Sequence, residues 1–140
     1  MLGEREPQAA DRFQQQAYEW ADITETSPYE TPSTYWSTYY DAVTTANIAL
    51  QHINSQADQS SYAAQKGEAL LRRAYAMFQL ANVFCMAYDE TTAASDLGLP
   101  YPETVEPNVH VKYDRGTLAD LYAKIDKDLQ RGMPLLSNTY

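Results

Sequence analysis

The stretch GEALLRRAYAMFQLANVF, Gly67–Phe84, decides how this chain is read. Leu70, Ala74, Met77, Ala81 and Phe84 recur at spacings of three and four, so they share one face of a helix. Leu71, Phe78 and Leu80 widen that stripe. Two adjacent arginines interrupt it. Arg72 stands one turn after Glu68 and makes an ordinary i,i+4 surface pair, worth about 0.2–0.5 kcal/mol. Arg73 is rotated about 100° from it and falls on the apolar face, between Leu70 and Met77. A charge there needs a partner, because stranding one costs about 3–5 kcal/mol. Asn47 and Asp128, on or beside the apolar faces of two other predicted helices, are the candidates. Arg73 then either bridges helices, its stem covering apolar surface, or clamps an anionic ligand. Nothing else in that helix supplies donors converging on an anion.

The periodicity predicts this helix over about 60–87. Gly67 weakens it by about 1 kcal/mol against alanine, a cost that a close helix–helix approach would explain. Upstream, Trp36, Tyr40, Val43, Asn47, Leu50 and Ile53 mark one face of a helix that starts near Thr31 or Ser33 and reaches about residue 54. Pro32 suits its first position, where a missing N–H costs nothing. The short polar link NSQADQSS predicts that these two helices run antiparallel.

Downstream lies DETTAASDLGLPYPETVEPNVHVKYDR, longer than the ~12–15 residues usual for a structureless loop, so it is either functional or packed on the helices. A further helix starts at Thr117, an N-cap with Asp120 three residues on, and carries Leu118, Leu121, Tyr122, Ile125 and Leu129 on one face. Gly132 and then Pro134 end it. Near the N-terminus Phe13, Ala17 and Trp20 predict a short helix over about 9–22, followed by the loop chemistry of DITETSPYETPSTYW. The class is all-α, built from antiparallel helical hairpins with long irregular loops. Residues 1–33 form a short helix and loop, and 34–140 a single helical scaffold. No second copy of a unit of about 34 residues is present, so a regular repeat array is unsupported.

Of the 140 residues, 44% are hydrophobic and 21% charged, an ordinary globular balance. The net charge is −9, and residues 1–110 hold 5 basic against 15 acidic side chains. No basic stripe exists to neutralise phosphates, which argues against nucleic acid, and no basic amphipathic helix addresses a membrane surface. The longest apolar run, Ala74–Tyr88, contains Gln79 and Asn82 and falls short of the roughly 20 residues of a membrane span. MLGEREPQAADRF lacks the basic start and apolar core of a secretion leader. Cys85, the lone cysteine, lies between Phe84 and Met86 and reads as a buried, inert thiol.

Signals for catalysis are poor. His52 and His110 are isolated, with no metal-site or nucleophile–base spacing. Asp126 and Asp128 point in different directions on a helix. Asp89, Glu90 and Asp96 lack an EF-hand pattern and read as a solvated acidic loop. No cofactor is expected.

The order of segments is itself informative. WSTYYDAVTTANIALQHI ends its helix with the pair Ala46-Asn47; Gly67-Glu68-Ala69 with Arg73-Ala74 follows; then the turn Leu97–Pro100; then an Arg115-x-Thr117-led helix with Tyr122, Ile125, Asp128 and Leu129. Over about residues 34–136 this resembles the SusD/RagB family of Bacteroidetes nutrient-binding lipoproteins. The resemblance implies tetratricopeptide-like helical hairpins and a non-enzymatic, carbohydrate-binding role in polysaccharide utilisation. It further implies a surface-exposed outer-membrane lipoprotein that delivers oligosaccharide, or in some members peptide, to a SusC-like TonB-dependent transporter. Family members are several times longer and carry a leader and a lipidated cysteine that this chain lacks, so it reads as an excised portion. Cys85 departs from the family, which commonly has glycine there. A free-standing helical-hairpin adaptor that holds a protein or peptide segment in a groove is the alternative.

Tyrosine is abundant, 12 against 3 phenylalanines, and its ring with a polar tip suits wet interfaces. Trp20, Tyr29, Tyr35 and Trp36 cluster in or beside the loop before the second helix, with Asp22, Glu25 and Glu30 nearby. They are the candidate ligand contacts, since binding groups favour loops braced by a rigid scaffold. Trp36 also begins a core stripe and Trp20 closes a helical face, so packing competes with binding at both.

Overall fold

Four helices organise the described residues: α1 (Ala9–Tyr18), α2 (Pro32–Asn54), α3 (Ala63–Phe84) and α4 (Leu118–Gly132). The computed structural model describes residues 9–24, 31–105 and 112–136, with side chains from Gln14 onward. Among the described residues there is no strand; one isolated bridge pairs Leu97 with Thr117. The fold is all-α. It divides into two units, Met1–Thr38 and Tyr39–Tyr140, with the boundary inside α2.

In the first unit α1 stops at Tyr18, earlier than its periodicity predicts. The reason is a backbone reversal. The Trp20 N–H donates to the Ala17 carbonyl (3.3 Å) and the Ala21 N–H to the Gln16 carbonyl (2.9 Å), the paired bonds of a Schellman termination. The residue at its left-handed position is Trp20, with φ 55°. The Gln16 side chain then clasps Thr24, donating to its hydroxyl at 3.0 Å and accepting from its N–H at 3.3 Å. At the start of α2, buried Thr31 is the N-cap: its hydroxyl accepts from the Thr34 N–H at 3.2 Å, and Pro32 takes the first helical position.

In the second unit α3 begins with a 3₁₀ turn, Ser60–Tyr62, and stops at Phe84 because Cys85 is extended (φ −116°, ψ 168°). Asp58 braces the start, accepting from the Ser60 and Ser61 hydroxyls and N–H groups; those bonds, the hydroxyls first, hold its carboxyl down at about 2. The buried face of α3 is Gly67, Ala69, Leu70, Arg73, Ala74, Ala76, Met77, Leu80 and Ala81. Phe84 and Leu71 are only half-buried and Phe78 is 40% exposed, so the outer edge of the predicted stripe faces water. On α2 the buried stripe is Val43, Ala46, Asn47, Leu50 and Ile53; Tyr40 is half-buried, and Trp36, expected to begin the stripe, is 38% exposed.

Val43, Met77, Leu80, Leu118, Leu121 and Ile125 build one core, and each large side chain buried there contributes about 1.5–3 kcal/mol. A smaller cluster joins Leu50, Ala69 and Leu70 with Leu135. The long connection packs rather than dangles: Ala93, Leu99 and Tyr101 are core residues. Its backbone also completes α4. The Leu118 and Ala119 N–H groups donate to the Asp96 and Ala93 carbonyls (2.8 and 2.9 Å), and the Asp120 N–H to the Thr117 hydroxyl (3.1 Å). Three of the donors left open at a helix start are thereby used.

Candidate functional site

Arg73 sits at the centre of the second unit with 3% of its surface exposed. Its Nε and Nη2 donate to the two carboxylate oxygens of Asp128 at 2.6 and 2.8 Å, a bidentate pair. Nη1 donates to the Asn47 Oδ1 at 2.7 Å and to the Glu103 carbonyl at 3.3 Å. The Asn47 amide then donates to the carbonyls of Pro102 (2.9 Å) and Thr104 (3.3 Å), and the Tyr101 hydroxyl to Asp128 at 2.6 Å. Burial works against the guanidinium charge, but the Asp128 carboxylate outweighs it and holds the Arg73 pKa above its ordinary value. Burial first, and then the same carboxylate, push the Tyr101 hydroxyl far up. No buried side-chain N or O among the described residues lacks a partner. Every donor nitrogen of Arg73 is engaged inside the protein, through four of its five N–H groups.

The network ties residues 97–105 across the helices as a strap. Tyr40 adds a bond from its hydroxyl to the Pro100 carbonyl (2.8 Å), and burial pushes that hydroxyl up to about 12. Arg115 Nε holds the Gly98 carbonyl at 2.8 Å. A side chain at Gly98 would strike the Thr117 carbonyl, so the strap's contact with α4 requires glycine there. Strap residues help to line two clefts. One, of about 530 Å³, is lined by Leu99, Tyr101, Arg115, Thr117, Lys124 and Lys127. The other, of about 360 Å³, is lined by Asn47, Gln51, Asn54, Glu103 and Thr104. A separate groove of about 570 Å³ runs between α2 and α3 over Ala42, Ala46, Ala49, Ala69 and Ala76.

The predicted ligand contacts fall in the first unit. Trp20 is 96% exposed on its left-handed turn. A left-handed conformation costs a side-chain-bearing residue roughly 1–2 kcal/mol, and such strain concentrates at functional positions. Tyr35, half-buried, and Trp36 stand in the first turns of α2, behind the Thr31 cap. Tyr29 lies outside the described residues, as does His110. The left-handed turn at Trp20 is absent from the periodicity because the residue is not glycine, the usual signal for it.

For the remaining polar candidates the geometry is local. The Asp89 carboxylate accepts from the Thr91 N–H (2.8 Å) and hydroxyl (2.6 Å), which lowers its pKa; Asp96 accepts from the Thr92 hydroxyl at 2.6 Å. Among the described residues no three His, Cys, Asp or Glu side chains converge as a metal group would require, and no helix is long and apolar enough to cross a membrane. Cys85 is half-buried at the end of α3, and burial raises its thiol.

The family pattern SusD-like_3, described as "Starch-binding associating with outer membrane", matches residues 4–140. A crystal structure of a Bacteroides vulgatus protein, provisionally named as sugar-binding, superposes with a TM-score of 0.67 at 28% identity. The similarity covers 78% of this chain and 25% of that one, so this chain spans a quarter of that protein's length. None of the curated proteins matches.

Proposed function

The chain belongs to the SusD-like family, and on that premise we propose that it contributes to non-catalytic capture of oligosaccharides at the cell surface. In this reading it is part of a longer outer-membrane lipoprotein that hands its cargo to a TonB-dependent transporter. One observation carries the ligand-contact assignment: Trp20 stands 96% exposed on a backbone turn that normally selects glycine. A sugar ring offers a C–H face to an indole and hydroxyls to neighbouring polar groups. Trp20, Tyr29, Tyr35 and Trp36 are the contacts proposed, beside acids of the same segment. Arg73, Asn47 and Asp128 belong to the scaffold, a role supported by the four bonds that hold the buried guanidinium.

The alanine-lined groove between α2 and α3 favours a second reading, an adaptor that receives a helical peptide. A glycan array probed with the full-length protein separates the two. Retention of at least one glycan, lost in Trp20→Ala and Trp36→Ala and weakened in Tyr29→Ala, is the expected result. A full-length protein that retains no glycan would defeat the capture reading.

A further inference from the structure

We infer that the seam between α3 and α4 carries a second sugar-stacking platform, made of Phe78, Tyr88 and Tyr122; this rests on the oligosaccharide reading above. The rings come from three elements: α3, the connection and α4. Tyr88 lies 4.8 Å from Tyr122, tilted 57°, and Phe78 meets Tyr122 edge-on at 6.3 Å and 90°. The convergence is tertiary, since Tyr122 meets two rings that lie more than 30 residues before it in the chain.

The cluster is built yet left open. Phe78 is 40% and Tyr88 49% exposed, while Tyr122 is half-buried against the core, with burial raising its hydroxyl pKa. The rings are tilted against one another, so Phe78 and Tyr88 each turn part of their own surface to water. Helical geometry adds polar neighbours. Asn82 stands one turn beyond Phe78 on the outer face of α3, and Asp126 one turn beyond Tyr122 on that of α4. Both are exposed, and Asp126 accepts from the Gln130 amide at 2.6 Å. Open aromatic rings, with an amide and a carboxylate one helical turn away, suit a pyranose, which is apolar on its C–H face and rimmed by hydroxyls. Binding sites commonly combine an aromatic lining with a few fixed polar groups in this way. Two of the three rings are tyrosines, whose hydroxyl ends stay wet beside such a ligand.

The test is calorimetric titration of the full-length protein with maltoheptaose, cellohexaose and xylohexaose. Wild type is compared with Tyr88→Ala, Phe78→Ala, Tyr88→Phe and Trp20→Ala, each checked for an unchanged melting curve. For a glycan that wild type binds, Tyr88→Ala and Phe78→Ala are expected to weaken affinity about three- to tenfold, the equivalent of one aromatic stack, or to remove one binding site per molecule. Tyr88→Phe keeps the ring and is expected to keep the affinity. Unchanged affinity and stoichiometry in both alanine variants, with binding lost in Trp20→Ala, overturns the platform and leaves the capture reading standing. Absence of binding by wild type to these three and to every glycan of the array overturns both.

Discussion

Gly67 and Gly132 face each other where α3 crosses α4, each occupying the space that the other's missing side chain would need. A Cβ on Gly67 would lie 2.8 Å from the Gly132 carbonyl oxygen, and one on Gly132 would lie 2.9 Å from that of Gly67. Gly132 remains right-handed helical, φ −82°, and α4 passes through it into the 3₁₀ turn Met133–Leu135, which contains Pro134. Its purpose is proximity, in place of the left-handed stop that its position after the stripe predicts.

Gly67→Ala is therefore expected to destabilise the protein by about 1–3 kcal/mol, the usual range for overpacking, despite the roughly 1 kcal/mol that alanine gains in a helix. Urea unfolding measures it. A stabilised variant would mean that the helices separate at little cost.

Removing one partner of the buried pair should be far worse than removing both. Arg73→Met strands Asp128, already 1% exposed, and is expected to cost about 3–5 kcal/mol. The double variant Arg73→Met/Asp128→Leu should recover a large part of that loss. Chemical denaturation of the full double-mutant cycle reads the coupling; additive single losses would show that the two charges are solvated independently.

Alkaline stability follows from Tyr40 and Tyr101. Burial raises both hydroxyls, Tyr40 to about 12, and Asp128 raises Tyr101 further. Folded values above the unfolded value of about 10 mean that the stabilisation is complete below pH ~10 and is lost as pH rises from there through the folded values. The urea midpoint should hold to about pH 10 and then fall, with the fall shallower in Tyr40→Phe. A midpoint that stays level to pH ~12 would contradict this.

Trp20→Gly should separate strain from use. Relief of the left-handed turn is expected to stabilise the α1 terminus by roughly 1 kcal/mol, while glycan binding falls. Hydrogen exchange at the Trp20 and Ala21 amides reads the first effect, and calorimetry the second. Binding that survives unchanged would remove Trp20 from the contact set.

Much of the scaffold was legible along the chain. Thr31 with Pro32, and Thr117 with Asp120, mark helix starts through local side-chain-to-backbone bonds, which act within a few residues and so appear in the sequence. The heptad-like stripes of α2, α3 and α4 named Val43, Leu70, Met77, Leu121 and Ile125, all of them buried. The stripes mislead at their edges. Periodicity reports which residues share a face, whereas burial depends on how far a neighbour extends, so Trp36 (38% exposed) and Phe78 (40% exposed) continue an apolar face to where its covering is only partial.

The sequence by itself determined the helical class, the main helix starts and the placing of Arg73 on an apolar face, because those depend on spacing and on short-range hydrogen bonds. Only the tertiary structure decided that the guanidinium is held by Asp128, Asn47 and the strap, that two glycines meet across a crossing, and that Phe78, Tyr88 and Tyr122 converge. Each of these joins residues far apart in the chain, and contacts of that kind exist only once helix packing has set the distances between them.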